Sequence, residues 1–144
     1  MPLPDQDEII NFIFKKFTSP RKIIEVGVGF YPDIALRLKK LYPYTEILLV
    51  DTSLNVQKFI SEKTDLKIIL DDVTKPNLEF YYNTDLIYSI RPPIEIIKHL
   101  LEIARKVNSA LIIRCLSTEF PSESVLKFFK ISNTSKGMLL SYNL

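Results

Sequence analysis

Cysteine, histidine, glycine and tryptophan are all scarce in this chain of 144 residues: one Cys, one His, three Gly and no Trp. The lone Cys115 has no second thiol with which to close an internal disulfide or complete a zinc knuckle, so neither a disulfide framework nor a structural metal is expected. It reads as a small buried hydrophobe at a strand end. The lone His99 falls inside a helical stretch, as a surface or packing residue, and no Ser-His-Asp or Cys-His arrangement is visible. No apolar run approaches the roughly 20 residues of a membrane-spanning helix. The opening Met-Pro-Leu-Pro-Asp-Gln-Asp-Glu lacks the basic start of a secretory signal, so a cytoplasmic location without membrane association is expected. Nor is there a tract of one charge. The 19 Lys and Arg stand against 17 Asp and Glu, scattered in twos and threes, and the net charge of +2 does not argue for a nucleic-acid partner. Apolar residues, by contrast, are plentiful. At 47% hydrophobic and 25% charged, the chain can bury roughly two-thirds of its unfolded surface in one ordered domain spanning residues 1–144.

Asp5 to Phe17 places Ile9, Ile10, Ile13, Phe14 and Phe17 at helical spacing, with acids at its start and Lys15-Lys16 at its end. Strands are predicted over Lys22–Val26, Glu46–Val50, Leu66–Leu70, Asp85–Ile90 and Ala110–Cys115, all short, apolar and bounded by turn residues. Helices are predicted between them. One opens at Pro32-Asp33 and stops before Pro43; a second covers Asn55–Lys63, and a short helix or turn Pro76–Tyr82. A further helix runs from Ile94 to about Val107 and a weak one over Ser122–Phe128. The chain then reads as a hairpin, Phe129–Ser132 and Met138–Tyr142, joined by Asn133-Thr134-Ser135-Lys136-Gly137. Strands alternating with helices imply a three-layer α/β/α architecture, with a mainly parallel sheet, right-handed crossovers and a C-terminal antiparallel hairpin.

Ligands of such sheets sit beyond the carboxyl ends of the strands, where the strand order reverses. At the first strand end, Glu25-Val26-Gly27-Val28-Gly29 places two of the three glycines between strand and helix, where close backbone approach and free N–H groups are available. Tyr31 stands where the dinucleotide fingerprint would have a third glycine, and a plain tight turn is the alternative reading. Asp51 ends the second strand 22 residues after Gly29, near the spacing of an acid that accepts from ribose hydroxyls, with helix capping as its alternative. Asp71 and Asp72 end the third strand, where an adenine could be held or a turn capped. The fourth strand runs through Ser89 into Arg91-Pro92-Pro93. The two prolines stiffen the backbone, so Arg91 and Ser89 are candidates to face a substrate, with an ion-paired Arg91 as the plainer reading.

With these residues in place, the chain resembles class I S-adenosylmethionine-dependent methyltransferases of the Rossmann type over roughly Arg21 to Leu116. More specifically, it is similar to a small uncharacterised archaeal protein family with a methyltransferase-like Rossmann domain. That likeness runs through Glu25-Val26-Gly27-Val28-Gly29 and Asp85-Leu86-Ile87-Tyr88-Ser89-Ile90-Arg91-Pro92-Pro93. The resemblance implies S-adenosylmethionine as cofactor. Glu25 would face its methionine end, Gly27 and Gly29 would admit it to the turn, Asp51 would hold the ribose, and Asp71 or Asp72 would lie near the adenine. It also implies a small methyltransferase whose acceptor is not specified. Arg91 before and Ile94 after the Pro-Pro pair point away from amino-group methylation of a base. The small size leaves little surface for a substrate, so a protein partner or homo-oligomer completing the site is expected. Two other functions fit the same residues. One is a nicotinamide-nucleotide oxidoreductase, which the missing third glycine disfavours. The other is a non-catalytic nucleotide- or RNA-binding module, suggested by the scattered basic residues and the lack of an evident acid/base pair.

Overall fold

The computed structural model describes residues 3–116 and 119–144; Met1 and Pro2 of the N-terminal stretch read above lie outside it, as do Ser117 and Thr118. Five parallel strands form its centre: β1 (Lys22–Val26), β2 (Glu46–Asp51), β3 (Lys67–Leu70), β4 (Leu86–Ile90) and β5 (Ala110–Cys115). The hairpin of β6 (Lys130–Asn133) and β7 (Met138–Tyr142) extends the sheet, with β7 antiparallel to β5. The order is β3-β2-β1-β4-β5-β7-β6, so the chain moves outward one way from β1 and then restarts on the other side at β4. The reversal between β1 and β4 opens a crevice at their carboxyl ends.

Strand alternation distributes the core between two layers. Ile23 of β1, Ile47 and Leu49 of β2 and Leu86 of β4 face α1 (Gln6–Lys16), α2 (Asp33–Leu41) and α3 (Leu54–Lys63), which contribute Ile9, Ile13, Leu38 and Ile60. Ile24, Val50 and Ile87 face the other side, against Leu100, Leu101 and Ala104 of α4 (Ile97–Val107). Each fully buried Ile or Leu contributes about 1.5–3 kcal/mol, and both faces are covered as a parallel sheet requires. Caps set the helix limits. The Ser53 hydroxyl accepts from the Val56 N–H at 3.2 Å to open α3, and Asn108, left-handed at φ 55°, closes α4.

Three sequence expectations shift on contact with the structure. The helix predicted from Ile94 begins as a 3-10 turn, Ile94–Ile96, before becoming α4, a common way of starting behind proline. The weak helix shrinks to α5 (Glu123–Leu126). The first hairpin strand lies one residue later than predicted, because Asn133 pairs with Met138 and the Thr134 N–H donates to the Gly137 carbonyl at 2.8 Å.

The acids heading α1 do more than meet a helix dipole. Asp5 makes no side-chain cap. Its buried carboxylate instead receives the Arg114 guanidinium from β5, Nε to Oδ2 at 2.9 Å and Nη2 to Oδ1 at 3.3 Å, together with the Thr134 hydroxyl. Burial alone would raise this carboxyl, but Arg114 and Thr134 outweigh it and hold Asp5 below the usual carboxylate range. Arg114 also donates to the carbonyls of Cys115 and Lys136. Gly137 leaves room for it, since a Cβ there would run into the Arg114 guanidinium. Glu8 adds a link by accepting from the Ser135 N–H at 3.0 Å. The start of α1 is thereby tied to the hairpin, which brings Leu3 and Gln6 to the crevice.

Candidate functional site

The β1-to-α2 turn is built on two left-handed glycines, Gly27 at φ 74° and Gly29 at φ 62°. Residues with a Cβ adopt that conformation at a cost, which explains why two of the chain's three glycines stand here. Their roles differ. An added Cβ would meet nothing within 4 Å at either glycine, but Gly27 borders both cavities described below, and its N–H donates to the Val50 carbonyl at 2.7 Å. Gly29 lines neither of the cavities described below, and its N–H donates to Asp51 Oδ2 at 3.0 Å. Asp51 Oδ1 accepts from the Ser53 N–H, also at 3.0 Å. The carboxylate thus braces the turns after β1 and β2 together. Ser53, two residues on, takes the capping role that Asp51 offered as an alternative. A carboxylate has about four acceptor sites, so each Asp51 oxygen retains one for a ligand.

Two cavities meet at Gly27. One, of about 240 Å³, is bordered by Glu25, Val28, Tyr31, Asp33 and Arg91, with Leu3 and Gln6 above. The other, of about 220 Å³, runs between Asp51 and Asp71-Asp72 and has Val73, Pro93 and Ile96 as apolar wall. Together they reach the range of about 300–1,000 Å³ found for small-molecule sites.

Glu25 occupies an inward position of β1 that would otherwise hold a core hydrophobe. Its β4 neighbour in register is Tyr88, whose buried hydroxyl donates to Oε1 at 2.7 Å. Burial pushes the Glu25 carboxyl up to about 7, with the Tyr88 bond opposing and the negative charges of Asp51 and Asp33 reinforcing it. Burial beside Glu25 likewise raises the Tyr88 phenol, which therefore stays protonated and donates. A carboxyl poised near neutrality at a cavity wall is a group ready to receive a cation.

The two acids ending β3 are partly committed. Asp71 accepts from the Asn77 N–H at 3.1 Å and from the Tyr81 hydroxyl at 2.8 Å, which anchors the 3-10 turn Leu78–Tyr81. Asp72 accepts from the Thr74 N–H at 2.9 Å and hydroxyl at 2.7 Å, closing a local turn. These bonds supply the turn-capping reading for both, and both acids still border the second cavity.

Of the substrate-facing pair expected after β4, the structure separates the members. Ser89 is buried, and its hydroxyl donates to the Val26 carbonyl at 2.8 Å as a tie between β4 and β1, away from either cavity. This corrects the expectation, and strand alternation is the reason: Tyr88 and Ser89 point to opposite faces. Arg91 borders the first cavity beside Glu25. It is exposed and left-handed at φ 51°, its N–H donates to the Arg114 carbonyl at 2.6 Å, and among the described residues its side chain joins no ion pair. His99 lies on α4 with Glu102 at 4.0 Å, apart from both cavities, and Cys115 is buried with its thiol raised by burial.

Sequence reasoning missed Tyr88 as the partner of Glu25, Asp33 as a second acid at the cavity, and the apolar wall of Val73, Pro93 and Ile96. A buried acid in a predicted strand is the signal that could have prompted a search for a phenol or cation on the next strand.

Residues 7–142 match the family described as "Uncharacterised protein family (UPF0146)". A UPF0146 protein of Methanocaldococcus jannaschii is 39% identical over 126 residues, covering 85% of this chain and 88% of that relative. Among solved structures, a human methyltransferase 10 domain containing protein superposes with TM-score 0.75 at 12% identity, covering 99% of this chain and 82% of that one. Coclaurine N-methyltransferase bound to N-methylheliamine and SAH superposes with TM-score 0.61 at 13% identity. There 78% of this chain is covered, and it spans 36% of the longer one. Among the described residues no helix is long and apolar enough to cross a membrane.

Proposed function

Since the chain belongs to the uncharacterised protein family UPF0146 and shares a Rossmann-like fold with methyltransferases, we propose that it binds S-adenosylmethionine at the Gly27 turn and serves as a small methyltransferase. One observation carries this reading: two cavities meet at a glycine, with the buried Glu25 carboxyl in one and Asp51, at the end of β2, in the other.

The residues fit the group. An adenosine needs a flat apolar wall, an acceptor for its hydroxyls and a polar rim, and the second cavity has Val73, Pro93 and Ile96, then Asp51, then Asp71-Asp72. The amino-acid end needs an acceptor for its ammonium, and Glu25 borders the first cavity. Gly27 joins the two, and its missing Cβ leaves the passage clear. Bound S-adenosylmethionine would supply a methyl group on a sulfonium, activated for transfer. The protein's own part is to bind, orient and exclude water, which accounts for much of the rate in such reactions. Asp51 fixes the ribose end while its bonds to Gly29 and Ser53 keep the carboxylate from turning. Tyr88 occupies one Glu25 oxygen and leaves the other for the ligand. A chain of 144 residues leaves little surface for recognising an acceptor, so a second copy or a partner protein completes the site.

The test is binding. S-adenosylmethionine or S-adenosylhomocysteine at millimolar concentration should raise the melting temperature, by the mass-action stabilisation of about 2.7 kcal/mol at a hundredfold excess over Kd. A larger shift with a nicotinamide dinucleotide would favour an oxidoreductase, and salt-sensitive RNA binding without any nucleotide shift would favour a binding module.

A further inference from the structure

We propose that Arg91 holds the carboxylate of the cofactor's amino-acid end, so that Glu25 and Arg91 together clamp an α-ammonium and an α-carboxylate in the first cavity. The inference rests on the S-adenosylmethionine reading above and assigns the cation that the reading leaves unused.

Charge complementarity argues for it. The residues bordering the cavity include two acids, Glu25 and Asp33, and one base, Arg91. A free anion entering there would meet Glu25 and Asp33 as well as Arg91, and a free cation would meet Arg91. A zwitterion satisfies both signs, with its ammonium toward the acids and its carboxylate toward the arginine. Arg91 is also available, since no ion pair engages it among the described residues.

Backbone conformation argues for it independently. Arg91 is left-handed at φ 51°, where glycine or asparagine would be cheaper, and this chain uses asparagine at three other such places, Asn83, Asn108 and Asn143. An arginine in a strained conformation at a cavity points to a use for its side chain. The position is held from both sides, by the N–H bond to the Arg114 carbonyl at 2.6 Å and by Pro92-Pro93. Arg114 is itself locked in the buried ion pair with Asp5, so the hairpin anchor and the clamp are one connected framework.

The experiment uses three ligands that differ only at this end: S-adenosylhomocysteine, its decarboxylated analogue, which keeps the amine, and 5′-methylthioadenosine, which lacks both groups. Titration calorimetry is run on the native chain and on Arg91→Asn, chosen because asparagine tolerates the left-handed backbone. The native chain should bind S-adenosylhomocysteine at least tenfold more tightly than the decarboxylated analogue. Arg91→Asn should lose that tenfold preference and bind 5′-methylthioadenosine as the native chain does, which also shows that it is folded. If Arg91→Asn keeps both affinity and preference, Arg91 does not hold the carboxylate and the clamp is refuted. If the native chain binds none of the three, the cofactor reading itself fails, and the clamp with it.

Discussion

Glu25→Gln isolates the buried carboxyl at the heart of the site. Gln keeps the shape and an oxygen to accept from the Tyr88 hydroxyl, but it cannot ionise. The Glu25 carboxyl stands at about 7 in the folded chain against 4.5 when unfolded, so the folded state binds the extra proton. The stability this proton supplies is therefore complete below pH 4.5, declines as pH rises through 7, and is gone above it. A gap from 4.5 to about 7 amounts to about 3 kcal/mol. At pH 8 the variant should exceed the native chain by about that much, some 6–12 °C in melting temperature for a domain of this size, whereas at pH 4 the two should be alike. Urea unfolding of both proteins from pH 4 to 9, taken as a difference, cancels the other carboxyl groups. Asp5 and Asp85 in particular have lowered values and lose stability in the opposite direction, as pH falls. A difference that does not change between pH 5 and 8 would refute the assignment. In the native chain, S-adenosylhomocysteine should bind more tightly as pH rises from 5 to 7, because its ammonium calls for the ionised carboxylate, and Glu25→Gln should weaken and flatten that profile.

Gly27→Ala should remain folded with a loss of about 1–2 kcal/mol for the left-handed backbone, yet bind S-adenosylhomocysteine at least tenfold more weakly, since its Cβ enters the passage between the cavities; native affinity by calorimetry would remove Gly27 from the site. Asp51→Ala should weaken every adenosine-containing ligand by about 1.5–3 kcal/mol. Unchanged affinity with a lower melting temperature would leave Asp51 as a brace for the two turns. Gly137→Ala should cost about 1–3 kcal/mol by driving a Cβ into the Arg114 guanidinium, and Asp5→Asn about 3–5 kcal/mol by leaving that guanidinium buried and unpaired. Urea titrations giving losses under 0.5 kcal/mol for both would show that the α1-to-hairpin anchor does not hold the fold.

Much of the fold was legible because its causes are local. Short, mostly apolar runs bounded by turn residues marked all five parallel strands to within a residue, and the inner four are buried along most of their length, which leaves their composition little freedom to vary. The Glu25-to-Gly29 turn and Asp51 were legible because they occupy fixed offsets from strand ends. The Asp5–Arg114 ion pair and the Glu25–Tyr88 bond were not, as their members stand 109 and 63 residues apart and no spacing rule links them. The same distance effect hid the division of labour between the glycines. That Gly27 borders both cavities while the Gly29 N–H serves Asp51 depends on where the next strand ends, and that is known only once the sheet is assembled. Ser89 was misplaced for a simpler reason. The stiff proline pair suggested a substrate-facing hydroxyl, whereas the β1 carbonyl of Val26 claims it.

The most direct test of the cofactor site is a crystal structure of the chain grown with S-adenosylhomocysteine. The adenosine should lie between Asp51 and Asp71-Asp72, against Val73, Pro93 and Ile96, with the sulfur passing Gly27 and the amino-acid end beside Glu25 and Arg91. Saturating ligand that leaves both cavities empty, or that seats its adenine against Glu25, would contradict that placement.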